Sequence, residues 1–317
     1  MLSFLCDSGV TALCEAGAGA PRPGAGASRP PMPAGGLSVP SHCPPRIRAH
    51  RTHRRTVDLS TALMWWSALC AAAAINAAAW GVSAWRLGLR RAEYPAAIYA
   101  TRRKLLWLSA VYVLGCGFRS VLPMIDVPRF CLHDTPVSYI AVGRSVATVA
   151  ELAFAAQWAL LLREAGAKRA AVAVVVLIGI AEILSWLATL TTNNLFHAAE
   201  NSIWTMTAAL AAAFLASRWR IVGDLGKRLI VAAIGCAAAY IAFMVTVDVP
   251  MYLARWHPGQ DRLSLGEGVR EILQRCIVTR DWAKWREDAL WLTLYFTVAV
   301  WISVALPQAP RLRGGNR

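Results

Sequence analysis

From residue 63 onward the chain alternates between long apolar runs and short polar connections. Seven runs stand out, over roughly 63–85, 104–125, 138–162, 170–191, 195–216, 229–252 and 288–306. Each is near the ~20 mostly apolar residues a helix needs to cross the hydrocarbon of a bilayer. Each is also apolar around most of its circumference, unlike the one-sided stripe of a soluble surface helix. The pattern predicts an all-α membrane protein with seven transmembrane helices.

Lys and Arg in the short connections give the direction, because cytoplasmic loops retain them. The connection after the first run carries Arg86, Arg90, Arg91, Arg102, Arg103 and Lys104. Those after the third and fifth carry Arg163, Lys168 and Arg169, and Arg218, Arg220, Lys227 and Arg228. The tail at 307–317 adds Arg311, Arg313 and Arg317. The opposite side has Arg129 in its short loops and a long loop, 253–287, of mixed charge. The expectation is an N-out, C-in protein with a basic cytoplasmic tail at 307–317. The long outer loop contains "SLGE" at 264–267, which fits a capping box at the start of a helix. Val269, Ile272, Leu273 and Cys276 would share one face of it, predicting an amphipathic segment. Trp282 and Trp285 precede the last run as interfacial anchors.

Composition agrees with this picture. The chain is 57% hydrophobic and 16% charged, where a soluble domain carries about 25% charged residues. A net charge of +15 would suit nucleic acid. The bases, however, lie in clusters between apolar runs, so the expected partner is the lipid bilayer and not nucleic acid. The preference for Arg over Lys and the abundance of Ala suit a GC-rich bacterial genome, hence a bacterial inner membrane. Residues 1–60 read as a disordered, basic, Pro/Gly/Ala-rich tail. Its bases conflict with an outer N-terminus. Two readings stand: an arm that touches anionic lipid, or an over-extended reading frame with its start near Met64. Cys131 and Cys276 fall in outer loops, where a disulfide persists; they are the candidate pair, against two free thiols.

The candidate chemistry lies inside the runs. Charged groups there are costly and mark functional sites or helix contacts. Arg119 and Asp126 fall toward the outer end of the second run, and Arg144 and Glu151 in the third. Glu182 is near the middle of the fourth, His197, Glu200 and Asn201 near the outer end of the fifth, and Asp248 in the sixth. Helical spacing sorts them into stripes: Arg144, Thr148 and Glu151; Glu182, Ser185 and Thr189; His197, Glu200, Asn201 and Trp204; Tyr240, Met244 and Asp248. Turning these stripes toward each other builds a pocket open to the outside, and polar helix–helix packing is the competing explanation. The acids outnumber Arg119 and Arg144, and an unpaired buried acid must hold a proton or meet a cation. "IDVPRF" at 125–130 and "VDVPMY" at 247–252 echo each other. This is compatible with two three-helix halves joined by the fourth span, a 3+1+3 arrangement.

Three functions fit. The first is binding or transport of a cation, proton or small polar solute. The second is a metal-dependent intramembrane enzyme with His197, Glu200 and Glu151 as candidate ligands. The third is a membrane sensor or scaffold. Haem is disfavoured because His197 is the only His in a span, and retinal because no Lys lies in a span core.

Overall fold

The computed structural model describes residues 45–310 apart from 221 and 275, with side chains from residue 60 onward. By packing, the chain divides into Met1–Ile47 and Arg48–Arg317, and the second unit holds the helical bundle. The expectation of disorder over residues 1–44, with Cys6, Cys14 and Cys43, and the basic tail at 311–317 lie outside the described residues.

Helix α1 (Pro45–Leu89) begins inside the stretch read as tail. Proline at a first helical position has its φ preset, and no Gly or Pro interrupts "RIRAHRTHRR" to stop a helix that the adjoining apolar run sustains. Then come α2 (Ala96–Val121), α3 (Ile140–Glu164), α4 (Lys168–Thr191), α5 (Asn194–Ser217) and α6 (Asp224–Phe243). A π-turn at Met244–Asp248 joins α6 to α7 (Val249–Arg255). After α8 (Leu265–Ile272), α9 (Trp282–Leu294) passes through a second π-turn, Tyr295–Ala299, into α10 (Val300–Ala305).

Six helical stretches are long and apolar enough to cross a membrane: Ser60–Leu89, Ala96–Val121, Ile140–Glu164, Lys168–Thr191, Asp224–Arg255 and Trp282–Gln308. The seventh expected span, α5, is helical over 24 residues, but His197, Glu200 and Asn201 in its first two turns lower its hydropathy. The bundle is inside-out relative to a soluble protein. Helix α4 exposes Val172, Val175, Val176, Ile180 and Ile183, and α1 exposes Met64, Ile75, Val82 and Trp85. Arg102, Gln157, Ser185 and Thr189 are fully buried. Such apolar flanks are too extensive for water and belong in lipid, so the chain is a multi-pass helical membrane protein.

Its interior polar groups knit helices together, as the absence of water in lipid requires. Asn76 Nδ2 donates to the Phe296 carbonyl in the second π-turn at 2.7 Å, and Ser83 Oγ to the Val304 carbonyl at 3.1 Å. Gln157 Nε2 donates to the Leu105 carbonyl at 2.9 Å, while Ser303 Oγ donates to Gln157 Oε1 at 2.7 Å. Arg102, placed in a loop by the hydropathy pattern, is instead buried on α2. It donates to Glu164 Oε1 at 2.6 Å and to the Leu306 carbonyl at 3.5 Å. Helix α2 begins earlier than the apolar run because Pro95, preset for a helix start, precedes it. Trp285 is likewise not an interfacial anchor: α9 starts at Trp282, and Trp285 is fully buried with its ring 5.6 Å from that of Trp65.

One end of the bundle carries a small cap that an all-α reading does not anticipate. Pro123 cannot continue α2, so the chain leaves the helix after Val121 and forms β1 (Met124–Ile125) and β2 (Phe130–Cys131), an antiparallel pair. The strand β3 (Ile277–Val278) adds in parallel, with Phe130 opposite Ile277 and Cys131 opposite Val278. A disulfide joins Cys131 to Cys276 across a 5.8 Å Cα separation. Helix α8 has the capping box: Ser264 Oγ accepts from Glu267 N, and Glu267 accepts from Ser264 N at 2.9 Å. The Ser264 hydroxyl, donating to Glu267 Oε2 at 2.6 Å, and then the Ser264 backbone N–H hold the Glu267 carboxyl below its ordinary range. Of the apolar face expected for α8, only Ile272 is buried, while Val269 and Leu273 are exposed. The docked edge is Gly268 and Ile272, because Gly268 lies directly on the Leu190 carbonyl at the end of α4, where no Cβ fits.

Candidate functional site

The polar stripes converge at the capped end. Arg144 and Glu151 are two turns apart on α3 and share a face. Arg144 Nη2 donates to Glu151 Oε2 at 2.8 Å and across to Glu182 Oε2 on α4 at 2.7 Å. Two carboxylates thus share one guanidinium nitrogen. Thr148, between them on α3, donates to Glu182 Oε2 at 2.7 Å and accepts from Trp186 Nε1 at 3.0 Å. Arg144 Nη1 stands 3.6 Å from Asp126, and Arg119 Nη2 stands 3.7 Å from the other oxygen of Asp126. Arg119 also donates to the Met124 carbonyl at 2.8 Å, which ties the end of α2 to β1.

Asp126 is not on a helix, contrary to expectation. It sits in the turn between β1 and β2, because Pro123 ends α2 first. Its counterpart in the echo, Asp248, closes a π-turn within a continuous helical run. The two "DVP" segments therefore have different local structures, and the echo gives no support to a repeat.

The second half of the site lies on α5 and α6. His197 Nδ1 and Glu200 Oε2 are 2.8 Å apart, and the His197 ring lies 5.0 Å from that of Tyr252. Asn201 Nδ2 donates to Asp248 Oδ2. The π-turn carrying Asp248 adds a residue to the helix, which rotates the next turns by about 100°. The second π-turn carries Tyr295, whose hydroxyl donates to Glu151 Oε1 at 2.9 Å. Both π-turns thus deliver a polar side chain to the same region.

A cavity of about 900 Å³ connects the two halves. Arg119, Asp126, Arg144, Glu151, His197, Glu200 and Asn201 line it. Glu182 and Asp248 do not; they stand behind the wall, bonded to Arg144 and Asn201. The cavity exists because α6 packs chiefly on α5 and buries only Gly226 and Ile230, leaving space toward α3 and α10.

Sequence reasoning misses several residues of this wall. Asp288 lines the cavity and is buried, and Arg255 Nη2 reaches it at 3.4 Å and Glu287 at 2.7 Å. Tyr252, Trp291 and Tyr295 also line it. An acid within the second turn of an apolar helix is the available signal for Asp288. The aromatic residues carry no such signal, since aromatics are ordinary in spans. For a metal, His197 and Glu200 meet but Glu151 does not join them. Among the described residues no three His, Cys, Asp or Glu side chains are grouped to hold an ion.

Comparison with protein-family models, curated proteins and solved structures finds no match to the chain.

Proposed function

We propose that this protein binds a cation in the acidic cavity in exchange for protons and carries it across a bilayer. The observation that carries this reading is the surplus of buried acid. Asp126, Glu151, Glu182, Glu200, Asp248 and Asp288 are all buried at one end of the bundle, against the buried Arg119 and Arg144 and the half-buried Arg255; the buried Arg129 there is paired with the exposed Glu271. Burying an unpaired carboxylate is costly enough that it takes a proton or a cation instead. The cavity lies against Glu151, Glu200 and Asp288, so either can reach them.

In this reading the chain spans the membrane seven times, N-out and C-in, with α5 as the span that its own acids make less apolar. The disulfide supports placing the capped end outside, since such bonds persist in oxidising compartments. The Lys and Arg distribution supports the same direction independently, and together they fit a bacterial inner membrane. The π-turns at Met244–Asp248 and Tyr295–Ala299 are weak points in the helical ladder, placed where α6 and α9 would bend as the cavity changes sides.

Proteoliposomes loaded with a pH-sensitive dye test this. Each of Na⁺, K⁺, tetramethylammonium and ethidium would be added outside, with protein-free liposomes as the baseline. At least one is expected to drive a proton flux above that baseline, and Glu200→Gln is expected to cut it by about tenfold, the scale of one lost charge-assisted contact. A flux equal in Glu200→Gln and wild type would contradict the reading.

A further inference from the structure

We infer that the cation is a lipophilic organic one: a protonated amine or quaternary ammonium carried on an apolar body of drug-like size. This rests on the cation-binding reading above and goes further by naming the ligand class. The acids occupy only one end of the cavity. On α5 its lining runs from His197 and Glu200 to Ala211, Ala212 and Leu215. Fifteen residues of helix, Glu200 to Leu215, measure about 22 Å. Past Asn201 that face offers Trp204, Thr207, Ala208 and then only alanine and leucine. A bare ion or a small hydrophilic solute has no use for such a stretch. The volume of about 900 Å³ falls at the upper end of pockets that enclose drug-sized molecules, roughly 300–1,000 Å³.

The boundary between the two parts is aromatic. Phe154, Trp158, Trp204, Tyr240, Trp291 and Tyr295 all line the cavity. Trp291 stacks on Phe243 at 5.8 Å and lies tilted 5.5 Å from Tyr295, and Tyr112 stacks on Phe154 at 4.7 Å. Aromatic faces attract a weakly hydrated cation, and the charge comes from Glu200 and from the one acid by which Asp126, Glu151 and Glu182 together exceed Arg119 and Arg144. An anionic amphiphile would meet the same apolar stretch but the wrong sign of head, since the nearest guanidiniums, Arg119 and Arg144, are already engaged by Asp126, Glu151 and Glu182. A metal ion would need a ligand group that the described residues do not gather. The small Ala side chains of α5 and α6 leave the room, and the aromatics select flat or bulky apolar groups.

The test is equilibrium binding of radiolabelled tetraphenylphosphonium to the full chain in mild detergent. Unlabelled tetramethylammonium and neutral triphenylphosphine oxide serve as competitors. Saturable binding is expected, displaced by neither competitor at about 100-fold excess, a difference of two decades in affinity. Glu200→Gln is expected to weaken binding about tenfold. Ala211→Trp, which fills the apolar stretch without changing charge, is expected to weaken it by a similar factor. If tetramethylammonium displaces the probe as well as the probe itself does, the inference falls while the cation site stands. If triphenylphosphine oxide binds equally to wild type and Glu200→Gln and no cation binds, both fall. The competition on wild type needs no variant, so a misfolded substitution leaves the outcome decided.

Discussion

Replacing Arg144 by Met is expected to cost about 3–5 kcal/mol of stability, the scale seen when one partner of a buried ion cluster is removed. Arg144 is the common partner of Glu151 at 2.8 Å, Glu182 at 2.7 Å and Asp126 at 3.6 Å. Its loss leaves Glu151 and Glu182 without a cation and Asp126 with Arg119 alone at 3.7 Å, at the contact of α3, α4 and the β1–β2 turn. Arg144→Lys should recover only part, because a single ammonium cannot fork to three acids as a guanidinium does. Glu182→Gln should be mild by comparison. It removes one acid from an acid-rich site and leaves an amide that still accepts from Thr148. Reversible unfolding in mixed micelles measures all three. A loss below about 1 kcal/mol for Arg144→Met would mean that these contacts are not the centre of the site.

The second large effect concerns the cap. Replacing both Cys131 and Cys276 by Ser is expected to destabilise the protein by about 2–4 kcal/mol. The bond links residues 145 apart and ties β2 to the segment leading into β3. Spans that stay helical in the denatured state already restrict the chain, so the lower part of that range is expected. The loss should be concentrated locally. Amide exchange should rise in β1, β2 and β3 while α4 and α10 stay protected. Reductant should reproduce the effect on wild type and have none on the double variant. Equal exchange in the cap of both proteins would show that Arg129, bonded to Glu271 at 2.6 Å and the Thr189 carbonyl at 3.1 Å, holds the cap unaided.

Local forces are the ones legible in the sequence. Long apolar runs specify helices by themselves, so each expected run is largely helical, although α1 starts at Pro45 where 63 was expected and α2 at Ala96 where 104 was expected. The polar stripes are legible because helical spacing alone puts Arg144 with Glu151 and His197 with Glu200. Where they point is not. Glu182 and Asp248 share the stripes yet stand behind the cavity wall, since that depends on how α4 and α6 rotate against their neighbours. Asp126 is misplaced by the hydropathy pattern because an apolar run conceals a break: Pro123 ends α2 inside "VLPMIDVP", and a hydropathy window averages over it. The π-turns are equally silent in sequence. They need an inserted residue to be tolerated by packing, and one of them is met by Asn76, far away on α1, donating to Phe296. Tyr295 opens one of these turns and reaches Glu151 across the bundle, a contact that no spacing rule finds.

The central claim is that the acids around the cavity exchange protons for a cation. Titrating tetraphenylphosphonium into the protein in weakly buffered mild detergent, and counting protons released per cation bound, tests it most directly. About one proton per cation is expected, as charge neutrality in a buried site requires, with a much smaller release in Glu151→Gln and Glu200→Gln. Cation binding without proton release, or release unchanged in both variants, would contradict it.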